Sequence, residues 1–132
     1  MKFDFDNERP IYIQLVEQLR IGILTSTFSI GDKIPSVRDL AMLAKVNPNT
    51  MQKALAELEE EKLIYTERTN GKFVTKDVKL INKIRDNLAK EKAKEFFSSM
   101  KKIGMDENET IDYLQDLIKN RRIYGIIRMH SS

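Results

Sequence analysis

The chain has 132 residues, no Cys, no Trp, one His and a formal charge of +3, a length that fits one domain or one domain with a small appendage. Without Cys there is no disulfide framework and no thiolate metal site, and the single His130, two residues from the end, is too isolated for a metal cluster or a catalytic triad. No apolar run reaches the roughly 18 residues of a membrane helix and no apolar signal segment opens the chain, so the expectation is a soluble cytoplasmic protein without membrane contact.

Pro10 suits a first helical turn. Ile11, Tyr12, Leu15, Val16, Leu19 and Ile23 then recur at helical spacing, which predicts an amphipathic helix ending near Ser26. Gly31-Asp32 signals a turn. Ser36 and Asp39 fit a capping box opening a short second helix with Leu40, Ala41 and Leu43. Lys45-Val46-Asn47 is a tight connection, and Asn47-Pro48 pairs a favoured N-cap with Pro at the first helical position. The third helix is expected from Pro48 to about Lys62. Residues 63–67 and 72–75 are β-prone, and the Asn70-Gly71 step between them predicts a hairpin.

A composition shift follows Asp77, dividing the chain into residues 1–77 and 78–132. Apolar positions from Leu80 through Ile84, Leu88, Phe96, Phe97 and Met100 to Ile103 mark a long helix closed by Gly104. Asp106 to Glu109 fits a second capping box, and Ile111, Leu114, Leu117 and Ile118 predict a last helix. The tail from Lys119 is ambiguous because Gly125 interrupts its apolar residues. Met42, Met51 and Met100 fall at apolar positions and read as core fillers.

The expected fold is mostly α with a small β-hairpin: a winged helix-turn-helix followed by a helical dimerisation segment. On the third helix, Met51, Ala54, Leu55 and Leu58 share one face. The other face begins with Asn49, Lys53 and Ala56, flanked by Thr50 and Gln52, groups able to read base edges or hold phosphates. Residues 1–77 carry 11 Lys and Arg against 12 Asp and Glu. DNA binding must therefore rest on where charges sit, with Glu59, Glu60 and Glu61 placed beyond the groove. Ser36 and Arg38 stand at the start of the second helix, within reach of a phosphate or, for Arg38, a guanine. Arg68, Asn70, Gly71 and Lys72 form a cationic hairpin tip suited to a minor groove or backbone. Each feature also has a plain reading: a solvated helix face, a surface ion pair of Arg38 with Asp39 or a Glu, a glycine the turn needs anyway. Their joint occurrence in winged-helix order favours DNA.

Gly31-Asp32-Lys33-Ile34-Pro35-Ser36-Val37-Arg38-Asp39-Leu40-Ala41, then Val46-Asn47-Pro48-Asn49-Thr50-Met51-Gln52-Lys53-Ala54-Leu55 and Gly71-Lys72-Phe73-Val74, resemble the GntR family of bacterial transcription regulators over residues of about 10 to 76. The resemblance implies a winged-helix DNA-binding domain with contacts at Ser36, Arg38, Asn49, Thr50, Gln52, Lys53 and around Gly71. One departure is Thr69, where the family often has the first glycine of a Gly-x-Gly wing. The short C-terminal part is similar to the YtrA-like subfamily, whose terminal helices mainly dimerise and whose members often repress transporter operons.

An independent physical argument also points to a dimer. A long amphipathic helix plus a short one cannot enclose its own stripe, so Ile84, Leu88, Phe96, Phe97, Met100, Leu114 and Leu117 are expected in a homodimer interface. The alternative is that the stripe packs on the first helix of the same chain. The functional expectation is a regulator, in repressor form, that binds double-stranded DNA at a palindromic operator. A small-molecule effector is left open. No cofactor, metal or catalytic residue is expected, since no nucleophile–base set or phosphate loop is present. The competing reading is a winged-helix protein-interaction module without sequence-specific DNA binding.

Overall fold

The computed structural model describes residues 1–128. Five helices and a hairpin follow in order: α1 (Ile11–Leu24), α2 (Val37–Ala44), α3 (Pro48–Glu60), β1 (Ile64–Glu67), β2 (Gly71–Val74), α4 (Val78–Lys102) and α5 (Glu107–Arg128). They form two compact units, Met1–Arg85 and the remainder from Asp86.

Local chemistry fixes the helix ends of the first unit. The Ser36 hydroxyl accepts from the Asp39 N–H at 3.1 Å, and the Asn47 side chain accepts from the Asn49 N–H at 2.7 Å. Both helices of the helix-turn-helix close with a paired backbone motif around a left-handed lysine. At the end of α2, Lys45 has φ 57°, and the Val46 and Lys45 N–H groups donate to Ala41 and Met42. At the end of α3, Lys62 has φ 66°, and Leu63 and Lys62 donate to Leu58 and Glu59.

The core draws Leu15, Leu19, Leu40, Met51, Leu55, Leu58, Leu63, Ile64 and Val74 together, each at most 2% exposed. Full burial of each such leucine contributes about 1.5–3 kcal/mol. The short helix α2 buries Leu40, Ala41 and Ala44, with Val37 half-buried against the same core. Met42 and Leu43 point the other way and are 68% and 54% exposed, so Met42 is not a core filler, unlike Met51. Ile81 is buried and Ile84 half-buried against this same core. The Arg85 guanidinium donates to the Leu24 carbonyl at 2.6 Å. The first two turns of α4 thus pack with the first unit, although the helix itself starts at the expected place.

The wing has a third member. β1 and β2 pair antiparallel with Ile64 opposite Val74 and Glu67 opposite Gly71. The Ile34 N–H donates to Lys72 and the Val74 N–H to Asp32, both at 2.9 Å, so residues 32–34 flank β2 on its other edge. The hairpin loop is residues 68–70, and Gly71 opens β2 at φ +100°, a backbone region where any Cβ is strained.

Residues before α1 are held by two glutamines. Gln14 Oε1 accepts from the Asp6 N–H while its Nε2 donates to the Asp6 and Arg9 carbonyls. One turn on, Gln18 pairs with both backbone groups of Asp4. Gln14 is 2% exposed, and the bonds leave no polar group stranded.

In the second unit, α4 is closed just past Lys102 by Gly104, with φ 88° and the Met105 and Gly104 N–H groups donating to Met100 and Lys101. Asp106 then caps α5: its carboxylate accepts from the Glu109 N–H at 2.8 Å, and Glu109 accepts from the Asp106 N–H at 3.5 Å. α5 runs on past Lys119 to Arg128, so the ambiguous tail is helical through Gly125. His130 lies outside the described residues.

Candidate nucleic-acid interface

α3 presents two kinds of surface along its outer side. At its start, Asn49, Gln52, Lys53 and Ala56 are exposed and Thr50 is half-buried. None of these side chains enters an ion pair among the described residues. The cap on Asn47 leaves the leading turn regular, so these groups project from a fixed backbone. Met51, Ala54, Leu55 and Leu58 on the opposite face are at most 1% exposed and anchor the helix to the core.

Further along stand four carboxylates, Glu57, Glu59 and Glu60 on α3 and Glu61 at its C-cap, and the fold engages three of them. The Tyr12 hydroxyl donates to Glu57 at 2.6 Å. Arg20 grips Glu61 with two parallel bonds of 3.0 and 2.8 Å, the strong bidentate form of such a pair. The Lys72 ammonium lies 3.4 Å from Glu59 and donates to the Thr66 hydroxyl at 2.8 Å. The bond to Glu57 holds the Tyr12 phenol above its ordinary pKa. The bond to Glu61 raises the Arg20 guanidinium further. The Thr66 hydroxyl, then Lys72, hold the Glu59 carboxyl below its usual range. Glu60 is exposed. An open groove of about 570 Å³ lies beside this stretch, lined by Tyr12, Lys53, Ala56, Glu57 and Glu60. The α3 surface is therefore amide and cationic at its leading end, and of its four trailing acids Glu59 and Glu61 are paired with cations of the fold while Glu57 is held by a neutral phenol.

The other expected contact residues divide. Ser36 and Arg38 are exposed at the start of α2, and Arg38 forms no ion pair among the described residues. Arg68 is exposed on the wing loop. Asn70 donates to the Glu67 carboxylate at 3.1 Å, within the hairpin. Lys72 is half-buried and turned back toward α3, because strand parity puts it on the same side as the buried Ile34 and Val74. Lys33 is not among the contact residues expected from the sequence. It is exposed, and its stem lies along Gly71 at the wing. Its signal is its place two residues before Pro35, in a segment too short to read as a strand.

In the second unit, Phe96 and Leu117 are 40% and 48% exposed. Leu88, Phe97, Met100 and Leu114 are half-buried. Ile103, Tyr113 and Ile118, which the expected interface omitted, are exposed to 71%, 50% and 54%. No group of three His, Cys, Asp or Glu among the described residues is placed to hold a metal. No helix among them is long and apolar enough to cross a membrane.

The profile of the bacterial regulatory proteins of the gntR family matches residues 11–74. The chain is 32% identical to the uncharacterised HTH-type transcriptional regulator YhcF of Bacillus subtilis, over 85% of this chain and 93% of that protein. It is 39% identical to the HTH-type transcriptional repressor YtrA of the same organism, over 60% of this chain and 61% of that one. A solved GntR family transcriptional regulator from Listeria monocytogenes superposes with a TM-score of 0.78 at 41% identity, covering 85% of this chain and 98% of the other. With the winged-helix order, the capped reading helix and these relatives in agreement, the chain belongs to the GntR family of bacterial transcription regulators.

Proposed function

We propose that the protein is a cytoplasmic, homodimeric repressor that occupies a palindromic operator. The exposed start of α3 lies in the major groove, with Asn49, Gln52 and Lys53 toward base edges and Thr50 at the groove wall. Ser36 and Arg38 hold the backbone from the start of α2, and Arg68 and Asn70 touch it from the wing. Lys72 serves this site indirectly, by balancing the charge of Glu59 and keeping the wing against α3.

The observation that carries the reading is the contrast along α3: bare amide and ammonium groups first, tethered carboxylates after. A solvated helix face has no need to have its acids collected by Tyr12, Arg20 and Lys72. The dimer reading is supported by the exposed apolar side chains of α4 and α5, Phe96 and Leu117 among them. A palindromic operator read by such a dimer has half-sites about 34–36 Å apart, one DNA turn, or a multiple of it. The repressor role follows the relative that bears that description.

Selection of duplexes from a random pool tests this. The expected product has two-fold symmetric half-sites. A pool with no enriched sequence returns the protein-interaction reading, and an asymmetric site rejects the dimeric mode. On the selected duplex, Lys53→Ala weakens specific binding by about 1–3 kcal/mol if it reads a base, and mainly lowers the salt slope if it holds a phosphate. Lys53→Ala with neither effect removes Lys53 from the interface.

A further inference from the structure

The wing has two faces, and its two lysines lie on opposite ones. Residues 32–34 pair with β2 so that Lys33 stands opposite Phe73, while Ile34 pairs with Lys72. In an antiparallel sheet, Lys33, Phe73 and Gly71 therefore share the outer face, and Ile34, Lys72 and Val74 share the inner one. Lys72, on the inner face, is tied to Glu59 and Thr66. The outer face carries the stacked rings of Tyr65 and Phe73, 5.7 Å apart.

Gly71 makes a gap in that outer face. A Cβ built there would lie 3.0 Å from the Cε of Lys33 and 3.7 Å from its ammonium nitrogen. The lysine stem thus crosses the space where any other residue would place a side chain, heading for the loop of residues 68–70 that holds Arg68. Glu67, opposite Gly71, already accepts from Asn70. Among the described residues Lys33 has no ion-pair partner. A lysine stem laid over a glycine, with an unpaired ammonium at its end, is suited to a phosphate, which lysine holds as a point charge.

We propose that Lys33 is the phosphate-holding cation of the wing. Its stem crosses Gly71 and brings the ammonium to the hairpin tip, where it binds the DNA backbone together with Arg68. The assignment rests on the DNA-binding reading above and adds a residue that reading did not contain. Gly71 then has two tasks, the left-handed backbone and the passage for Lys33.

The test measures binding of the full chain to its selected duplex by fluorescence anisotropy across a series of salt concentrations. Each phosphate contact contributes about 0.9 to the slope of log affinity against log salt. Lys33→Ala is expected to lower that slope by about 0.9, alike on selected and scrambled duplexes, while Lys33→Arg keeps the wild-type slope. Lys33 is exposed, so thermal melts of both variants should match the parent. A Lys33→Ala protein with the wild-type slope overturns the assignment and leaves the regulator reading intact. A wild-type protein that binds no duplex overturns both.

Discussion

The two units of the chain bury their apolar residues differently. In the first, three helices, a small sheet and the start of α4 surround Leu15, Leu40, Met51, Leu55 and Leu63, all at most 1% exposed. In the second, two helices meet at a Schellman turn and a capping box, and among the described residues Thr110 alone is fully shielded there. Three layers can close on a core, whereas a helical pair always leaves a side open. The first unit is therefore specified by its own contacts. The second leaves Phe96, Ile103, Tyr113 and Leu117 exposed.

That contrast can be broken at its strongest point. Leu55→Ala deletes a side chain 1% exposed at the centre of the first unit, and the cavity should cost about 2–5 kcal/mol in urea melts followed by circular dichroism. Leu117→Asp, at a residue 48% exposed in the second unit, should leave the winged-helix spectrum intact and convert the protein to a monomer in sedimentation equilibrium. A dimer that survives Leu117→Asp moves the interface elsewhere. Ser36→Ala removes the cap on α2 and should lower stability by about 1 kcal/mol.

The smallest effect is pH-dependent. Thr66 and Lys72 hold the Glu59 carboxyl below its ordinary pKa. Its contribution is present above the unfolded carboxylate value and disappears as pH falls through the lowered folded one. Glu59→Gln should flatten part of the acid limb of a stability profile. An acid limb identical to the parent's would mean that the Lys72–Glu59 contact does not hold the wing.

Much of the first unit is legible in the order of its residues. Ser36 and Asn47 act on amides two or three residues away, so their caps are written locally. The inward face of α3 follows from its period, and Asn70-Gly71 announces the hairpin. What stays hidden depends on partners far along the chain. Lys72 looks like a groove-facing cation until its pairing with Ile34 decides which way it points. Residues 32–34 are too few to show a strand period. Glu57 and Glu61 reveal nothing of Tyr12 and Arg20, 45 and 41 residues away. Met42 looks apolar and buried, but an eight-residue helix has room for one inward stripe only. In the second unit Gly125 suggests a break, yet α5 continues to Arg128.

The glutamines of α1 carry a lesson of their own. A carboxamide offers one acceptor and a pair of donor hydrogens in one plane, as a peptide link offers its own donor and acceptor. Placed four residues apart, Gln14 and Gln18 line up like rungs and let an extended segment dock on a helix as though on a sheet edge. The amides of Asp4 and Asp6 should accordingly resist deuterium exchange despite belonging to no helix or strand. Swapping either glutamine for glutamate, which can accept but not donate, would unfasten that ladder while leaving the apolar packing below it untouched.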